Sequence, residues 1–405
     1  MDISVIAKVP GLLEEHRLPG LAVGVCTADS VLWAGGFGVT RAGGDVPIGT
    51  ETMFSVQSCS KMYTATAVLH AVREGLVEMD EPIVRYLPEF RVRSAFEEDP
   101  ERRITVRHLL SHTAGFTHEA PVGSNYVVGR ESFEEHCRSI YQTWLRFPVG
   151  ERFEYSNLGI DLAGYILQRR SGLPFHEYVR RVLFEPLGLE RTSFDARVIV
   201  RERDRAIGHS KGYLRLPVRV PMVAAGGLYT SVADACRYVQ FHLTEAESLA
   251  ELYEGKTYGL GVALAEANGI PVRGHGGGGF GFLSDMYWAP EAGIGVVVLT
   301  NSTAHPLHWK LACDIFREVV GTTAAEDGPW NRDYAIHVSG VRDGTARLRK
   351  VNGIHLFEHW NGQNFPLREH QPGLYISSNG EMLDLTQTPP TYANVRLHEL
   401  SEPGA

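Results

Sequence analysis

Residues 54–72, FSVQSCSKMYTATAVLHAV, set Ser55, Ser58, Cys59 and Ser60 immediately before Lys61 at the head of an apolar stretch. A serine hydroxyl becomes a nucleophile only when a base takes its proton, and a lysine drawn out of water gives up its charge readily enough to be that base. Spacing narrows the choice. On a helix turning ~100° per residue, Met62, Ala65, Leu69 and Val72 fall within about 40° of Ser58, and Lys61 lies about 60° away on the same face. Cys59 is about a quarter turn off and Ser60 nearly opposite, while Ser55 stands outside the first turn, where a hydroxyl caps or closes a loop. Ser58 and Lys61 are the pair able to act as nucleophile and base, with the unpaired N–H groups of the helix start available to an oxyanion beside Ser58. The plainer alternative is a capping Ser58 and a lysine reaching to solvent, and the pair alone does not decide.

Two further stretches carry polar groups at the ends of regular elements. FEYSNLGIDLAGYILQRRSG, residues 153–172, places Tyr155, Ser156 and Asn157 before a helix with Leu158, Leu162, Tyr165 and Ile166 on one face; taken alone, Asn157 is an N-cap and Tyr155 a core aromatic. RGHGGGGFGFLSDMYW, residues 273–288, runs His275, Gly276, Gly277, Gly278 and Gly279 into a strand. Glycine weakens a strand unless something must approach its backbone, so a substrate-docking edge is one reading and a flexible hairpin the other. A phosphate loop is excluded, because Phe280 stands where Gly-Lys-Ser/Thr would be needed.

Other matches fit their surroundings poorly. GHSKG at 208–212 has the spacing of a nucleophile elbow but lacks the buried strand before it and the helix after it, so it reads as a surface turn. HLFEH at 355–359 has inverted zinc-protease spacing, yet Gly353 and Asn361-Gly362 bracket a stretch that reads as strand. His108 and His112 in HLLSH have no carboxylate to complete a ligand set and read as packing or capping residues. No metal and no cofactor are expected.

The elements that would hold these groups follow from periodicity. Residues 20–40 alternate around a polar break at 27–30, a β-hairpin. Helices are expected at 58–74, 105–111, 132–145, 158–171, 231–243 (with Ser231 and Asp234 as a capping box) and 306–319, and strands at 257–264, 281–288 and 293–300. The fold class expected is α+β: an antiparallel sheet built from about 10–50 and 255–320 and covered by terminal helices, with a mostly helical lobe at about 60–245 inserted. A cleft between sheet and lobe would hold the site. This catalytic domain, 1–320, would be followed by a linker at 321–334 and a small β-rich domain at 335–405.

Taken together, Ser58-x-x-Lys61, Tyr155-x-Asn157 and His275-Gly276-Gly277, in this order, resemble the three motifs of the serine β-lactamase and penicillin-binding-protein superfamily. The Tyr-x-Asn form is similar to the class C β-lactamase branch, which also holds esterases, D-amino-acid amidases and peptidases, and transacylases. HLLSHTAGF at 108–116 and AAGGLYTSVADACRYV at 224–239 resemble its connecting segments, and the likeness spans about 10–320. It implies a β-lactamase/transpeptidase-like fold and a small, lipocalin-like C-terminal module. It implies Ser58 as the acylated nucleophile, Lys61 as its proton partner, and Tyr155 as general base and acid with a phenol pKa lowered by adjacent ammonium charge. Asn157 would hold the acyl-side polar group, and the N–H groups of Ser58 and Gly278 would form the oxyanion hole. His275 departs from the lysine usual in β-lactamases, which removes a fixed cation for a β-lactam carboxylate.

Bulk properties agree with a small-molecule substrate. The 405 residues carry a net charge of -9, 43% hydrophobic and 21% charged residues, with no basic run, so neither nucleic acid nor an anionic membrane is an expected partner. The longest apolar run, within 292–300, is under half a membrane span. The opening MDISVIAKVPGLLEEHRLPG has no basic segment followed by an apolar stretch, and five scattered cysteines fit buried thiols in a reducing compartment; a cytoplasmic location is expected. The expected reaction passes the acyl group of a small ester or amide through Ser58 to water or to an amine or alcohol acceptor. The alternatives are β-lactamase or D,D-peptidase activity, or a non-catalytic binding protein on the same fold.

Overall fold

The computed structural model describes residues 3–123, 131–210, 218, 220–321 and 332–399, the last range without 339–340, 352–353, 359–363, 372, 378–380, 388–389 and 393–394. The chain divides into two units, residues 1–264 with 272–321 and residues 265–271 with 322–405.

In the first unit β1 (Gly20–Cys26) and β2 (Val31–Gly38) form the expected hairpin, closed by Thr27 accepting the Ser30 N–H on its Oγ1. The later strands β4 (Ile270–Gly279), β5 (Phe282–Ala289) and β6 (Ile294–Thr300) complete the sheet of this unit in the order β2-β1-β6-β5-β4, while much of β3 (Ala263–Ala267) and the start of β4 fall within residues 265–271, which belong to the second unit. The two ends of the sheet-forming sequence meet in the β1–β6 ladder, from Leu21 opposite Thr300 to Cys26 opposite Gly295. All seven residues of both β1 and β6 are buried, so neither strand shows the alternation of a half-solvated sheet. Helices α7 (Val232–Thr244) and α8 (Leu307–Val320) pack on them. The approach of α7 is close: a Cβ on Gly24 would stand 2.3 Å from Cys236 Sγ and one on Gly295 2.2 Å from Val239 Cγ1.

After α1 (Val9–His16) at its start, the chain builds the helical lobe between β2 and β3: α2 (Ser60–Arg73), α3 (Val106–Leu110), α4 (Phe133–Ser139), α5 (Asn157–Ser171) and α6 (Val223–Gly226), besides other short helices. Helix α2 is buried on every side, from Ser60 through Leu69 and at Ala71, so its apolar stripe does not mark one inner face. It begins two residues later than its pattern suggests. Ser58 lies on a 3-10 turn, Gln57–Cys59, that runs into α2. At three residues per turn, that junction brings positions three apart into line.

Three other expectations change. The stretch 257–262 is a turn rather than a strand, because Gly261 is left-handed (φ 69°) and its Cα presses on α2, where a Cβ would meet Lys61 O at 2.8 Å. Helix α4 stops at Ser139 and tightens into a 3-10 turn at Ile140–Gln142. Ser231 caps α7 by accepting the Asp234 N–H, but the return half of the box is missing: the Asp234 carboxylate accepts from Arg191 N, Thr192 Oγ1 and Arg237.

The glycines of β4 explain themselves in this unit. A Cβ on Gly277 would lie 2.1 Å from Val56 O, 2.5 Å from Ser284 Oγ and 3.1 Å from Ser58 N, so the strand backbone rests directly on the Ser58 turn.

The second unit is a closed barrel of eight antiparallel strands, each paired with the next and the last, Val395–Glu399, with the first, Arg332–Val338. Its buried cluster includes Tyr334, Leu348, Phe357, Leu367, Tyr375 and Leu397. The first strand starts at Arg332, inside the expected linker, whose residues 322–331 lie outside the described residues. Ile354–Glu358 is a strand, as HLFEH reads from its flanks; His359 lies outside the described residues. In GHSKG, Lys211 and Gly212 lie outside them too, and the preceding element is a helix, Ala196–Arg201, not the strand an elbow needs. Among the described residues no helix is long and apolar enough to cross a membrane.

Gly277→Ala is expected to lower the melting temperature by at least the equivalent of the ~1–3 kcal/mol of a forced enlargement. Gly278→Ala, whose methyl would meet only the end of Leu283 at 3.1 Å, should stay within about 2 °C of the parent. Thermal denaturation of the two variants checks this; equal melting temperatures would mean that the strand stands further from Ser58.

Candidate active site

Burial separates the four nucleophiles at the head of α2. Ser55 is 2% exposed and its Oγ accepts from Gln57 Nε2 at 2.6 Å; Ser60 is fully buried and its Oγ accepts the Leu228 N–H. Cys59 is fully buried, its Sγ donating to His275 O at 3.0 Å, and burial pushes the thiol up to about 12, so no thiolate competes near neutral pH. Ser58 alone of the four is partly exposed. Gln57, immediately before it, is held in the left-handed region (φ 47°), a strain that fixes the turn presenting it.

Two groups converge on the Ser58 hydroxyl. Lys61 Nζ stands 2.9 Å from Ser58 Oγ, and the Tyr155 hydroxyl donates to the same oxygen at 2.9 Å. Lys61 is fully buried; its amine also donates to Ala225 O at 2.9 Å and stands 4.9 Å from the Tyr155 ring centre. Burial brings the amine down to about 7, against the pull of Asp161, Cys59 and Glu119 towards the ammonium. At neutral pH a large fraction is therefore the free amine, which can accept a proton.

The lowered phenol pKa expected for Tyr155 is not found. Burial among His112, His118, Tyr258 and His275, with ring centres 4.5–6.4 Å away, raises its phenol above the ordinary tyrosine value, and the bond to Ser58 offsets this only in part. The desolvation that brings Lys61 down leaves less ammonium beside Tyr155 to lower it.

The cap of α5 is Ser156, whose Oγ accepts the Leu158 N–H; Asn157 is the first helical residue and is 3% exposed. Its Nδ2 donates to Glu119 Oε1 at 3.0 Å, and its Oδ1 has no partner among the described residues. A carboxylate can only accept, so Glu119 fixes which way the Asn157 amide faces. His275 is 6% exposed. Its Nδ1 lies 2.5 Å from Gly276 O, which requires an N–H there, so Nε2 is left to accept from the Tyr258 hydroxyl at 2.9 Å. Burial and Lys61 hold the imidazole down at about 3, so it carries no positive charge at neutral pH. Gly276 and Gly278 continue the same strand on either side of Gly277.

Thus Ser58, Lys61, Tyr155, Asn157 and the His275–Gly278 strand come together in the first unit. Pattern reading missed Glu119, Tyr258 and the Asp161 and His136 side chains behind Lys61, none of which has a spacing signal. His112 carried a hint in HLLSH: its Nδ1 accepts the Ser156 N–H and so steadies the Tyr155–Asn157 segment, while His108 caps α3. A cavity of about 660 Å3 in the helical lobe, lined by Phe133, Phe175, Phe194, Val200 and Val223 among others, contains none of the motif residues. Its Asp195 is taken up by Arg197 and His176.

The chain is similar in sequence and in fold to several known proteins. Penicillin-binding protein 4 of Amycolatopsis lactamdurans is 28% identical over 352 residues, 78% of this chain and 89% of that protein. Esterase EstB of Burkholderia gladioli is 30% identical over 193 residues, 45% and 48% of the two chains, and a β-lactamase of Providencia stuartii 26% identical over 57% of each. This chain thus spans about half the length of the latter two. The octameric penicillin-binding protein homologue from Pyrococcus abyssi superposes with a TM-score of 0.70 at 21% identity, over 97% of this chain and 95% of that one, which shows the shared fold. The Beta-lactamase family model matches residues 5–310, and with it the classification is complete: the chain belongs to the Beta-lactamase family, a family of serine hydrolases.

Proposed function

We propose that the chain is a serine acyl-transfer enzyme in which Ser58 attacks the carbonyl of a small ester or amide, forms an acyl-enzyme, and passes the acyl group to water or to an amine or alcohol. The observation that carries this is the double contact on Ser58 Oγ: a partly exposed hydroxyl with a buried amine of pKa about 7 and a neutral phenol each 2.9 Å away. Lys61 as free amine takes the Ser58 proton as Oγ bonds to carbonyl carbon. The N–H groups of Ser58 and Gly278 receive the developing oxyanion. Tyr155, a phenol rather than a phenolate, gives its own proton to the departing oxygen or nitrogen and takes back from the Lys61 ammonium the proton that left Ser58, so both Lys61 and Tyr155 end as they began. The incoming acceptor retraces these steps.

The polarity of the site supports a substrate class. His275 offers no cation for a carboxylate, which argues against β-lactams. On the acyl side Asn157 Oδ1 and the Glu119 carboxylate are acceptors, so acyl groups carrying an N–H or an ammonium suit the site. Five buried and widely separated cysteines favour a cytoplasmic enzyme.

Intact mass after brief exposure to an activated acyl ester tests the nucleophile. A single acyl adduct is expected on the parent and on Cys59→Ala and none on Ser58→Ala; an adduct lost only in Cys59→Ala, or none on the parent, rejects the reading. Faster loss of the adduct with an added amine than in water alone would mark a transferase. The pH profile tests the base. Protonated Lys61 cannot accept the Ser58 proton, so kcat/KM for a p-nitrophenyl ester should rise about tenfold per pH unit up to a value near 7 and level off above it. A limb near pH 10 would return the base role to Tyr155. Glu119→Gln should cost ester donors with an α-ammonium group roughly tenfold in kcat/KM relative to donors of equal size without it, and an unchanged ratio would remove Glu119 from acyl recognition.

A further inference from the structure

Behind Lys61, away from Ser58, lies a buried ion pair that the acylation chemistry does not use. His136 on α4 and Asp161 on α5 both have side chains without solvent exposure, and His136 Nε2 is 3.1 Å from Asp161 Oδ2. His136 Nδ1 is 2.6 Å from Val122 O. A carbonyl and a carboxylate both only accept, so both ring nitrogens carry hydrogen and the ring is an imidazolium. The carboxylate and that carbonyl also hold the proton, keeping His136 above the ordinary histidine value in spite of its burial. The other carboxylate oxygen, Asp161 Oδ1, accepts the Ala225 N–H at 3.1 Å, and Ala225 O in turn receives Lys61 Nζ. A continuous path therefore runs from Val122 through His136, Asp161 and the Ala225 backbone to the lysine amine, and on to Ser58.

We propose that the buried His136–Asp161 pair is the positioning pair of this site: through the Ala225 backbone it holds the Lys61 amine against Ser58, and its balanced charges set how readily that amine gives up its proton. The inference rests on the acyl-transfer reading of Ser58 and Lys61. The other ionisable groups around the amine are Cys59 on its own turn, Glu119, Tyr155, and the uncharged His112 and His275; around the imidazolium they are Asp161 and Glu119. Asp161 draws Lys61 towards the ammonium, and the His136 charge tempers that pull.

The two partners should then act in opposite directions. Asp161→Asn keeps the shape and the acceptor for the Ala225 N–H but removes the anion, so the acidic limb of acyl-adduct formation should move to lower pH by roughly one unit. His136→Gln keeps a donor to Asp161 but removes the cation, leaving a bare carboxylate, so the limb should move to higher pH by a similar amount. A purely structural pair would change amplitude and stability without moving the limb in opposite directions. The experiment follows acyl-adduct formation by intact mass from pH 5 to 9 for the parent and both variants, after circular dichroism has established that each is folded. Limbs that stay in place, or move the same way, overturn the inference while the parent adduct still upholds Ser58. Absence of adduct on the parent would instead fail the acyl-transfer reading. Should a variant not fold, 15N-histidine spectra of the parent at pH 8 decide: a doubly protonated ring is expected, and a wholly neutral set of histidines overturns the inference.

Discussion

The site depends on one costly arrangement, a primary amine with no solvent exposure placed 2.9 Å from a serine hydroxyl. Holding lysine at a pKa of about 7 means that the ammonium is disfavoured by something on the order of 5 kcal/mol relative to water. That penalty makes the Lys61 amine basic without being charged, and it frees Tyr155 from having to be a phenolate. It also explains a helix buried on every side: α2 must keep water from the amine, so Gly261 and Gly277 bring backbone against the lysine and the serine turn where any side chain would stand them off. The glycines of β4 are thus a packing requirement of the Ser58 turn, and the weakness they bring to the strand is accepted because its neighbour β5 is fully paired on to the buried β6.

Much of this was legible because it is local. Ser58 and Lys61 are three residues apart, Tyr155 and Asn157 two, and the glycines of β4 contiguous, so their types and spacing survive in the linear chain. The sheet was legible too, because β1 with β2 and β5 with β6 are stretches of small, β-branched and aromatic residues broken by short polar or Pro and Gly turns, although the full burial of β1 and β6 was not. The groups that tune the site are not local. Asp161 reaches His136 across 25 residues and Ala225 across 64, and Tyr258 meets His275 only after a glycine turn that read as a strand. TYGLGVAL alternates as a strand does, and nothing in the letters reveals that Gly261 is left-handed. The reading of Tyr155 failed for a related reason: a sequence places a lysine beside it but does not say whether that lysine is hydrated, and so whether it carries charge.

The same desolvation orders the rest of the electrostatics. His112 and His275 face the amine, and had either been an imidazolium it would have driven Lys61 lower still; burial holds both well below neutral pH, so they contribute shape and hydrogen bonds without charge. His275 then spends its two nitrogens on Gly276 O and the Tyr258 hydroxyl. The position that could supply a fixed cation to a substrate carboxylate is instead a neutral brace for the strand edge.

Against that uncharged setting a single acidic group has a large effect. Glu119 orients the Asn157 amide, and the Asp161 carboxylate raises the amine from the depth to which burial alone would take it. Asp161 cannot stand there alone, because an uncompensated buried carboxylate costs more than a nearby lysine of fractional charge repays; an imidazolium held between it and Val122 O resolves the conflict. The basicity of Lys61 is therefore a balance between removing water, which lowers it, and a carboxylate whose pull is moderated by its own counter-ion. A site built this way can be retuned by changing buried residues that never touch the substrate.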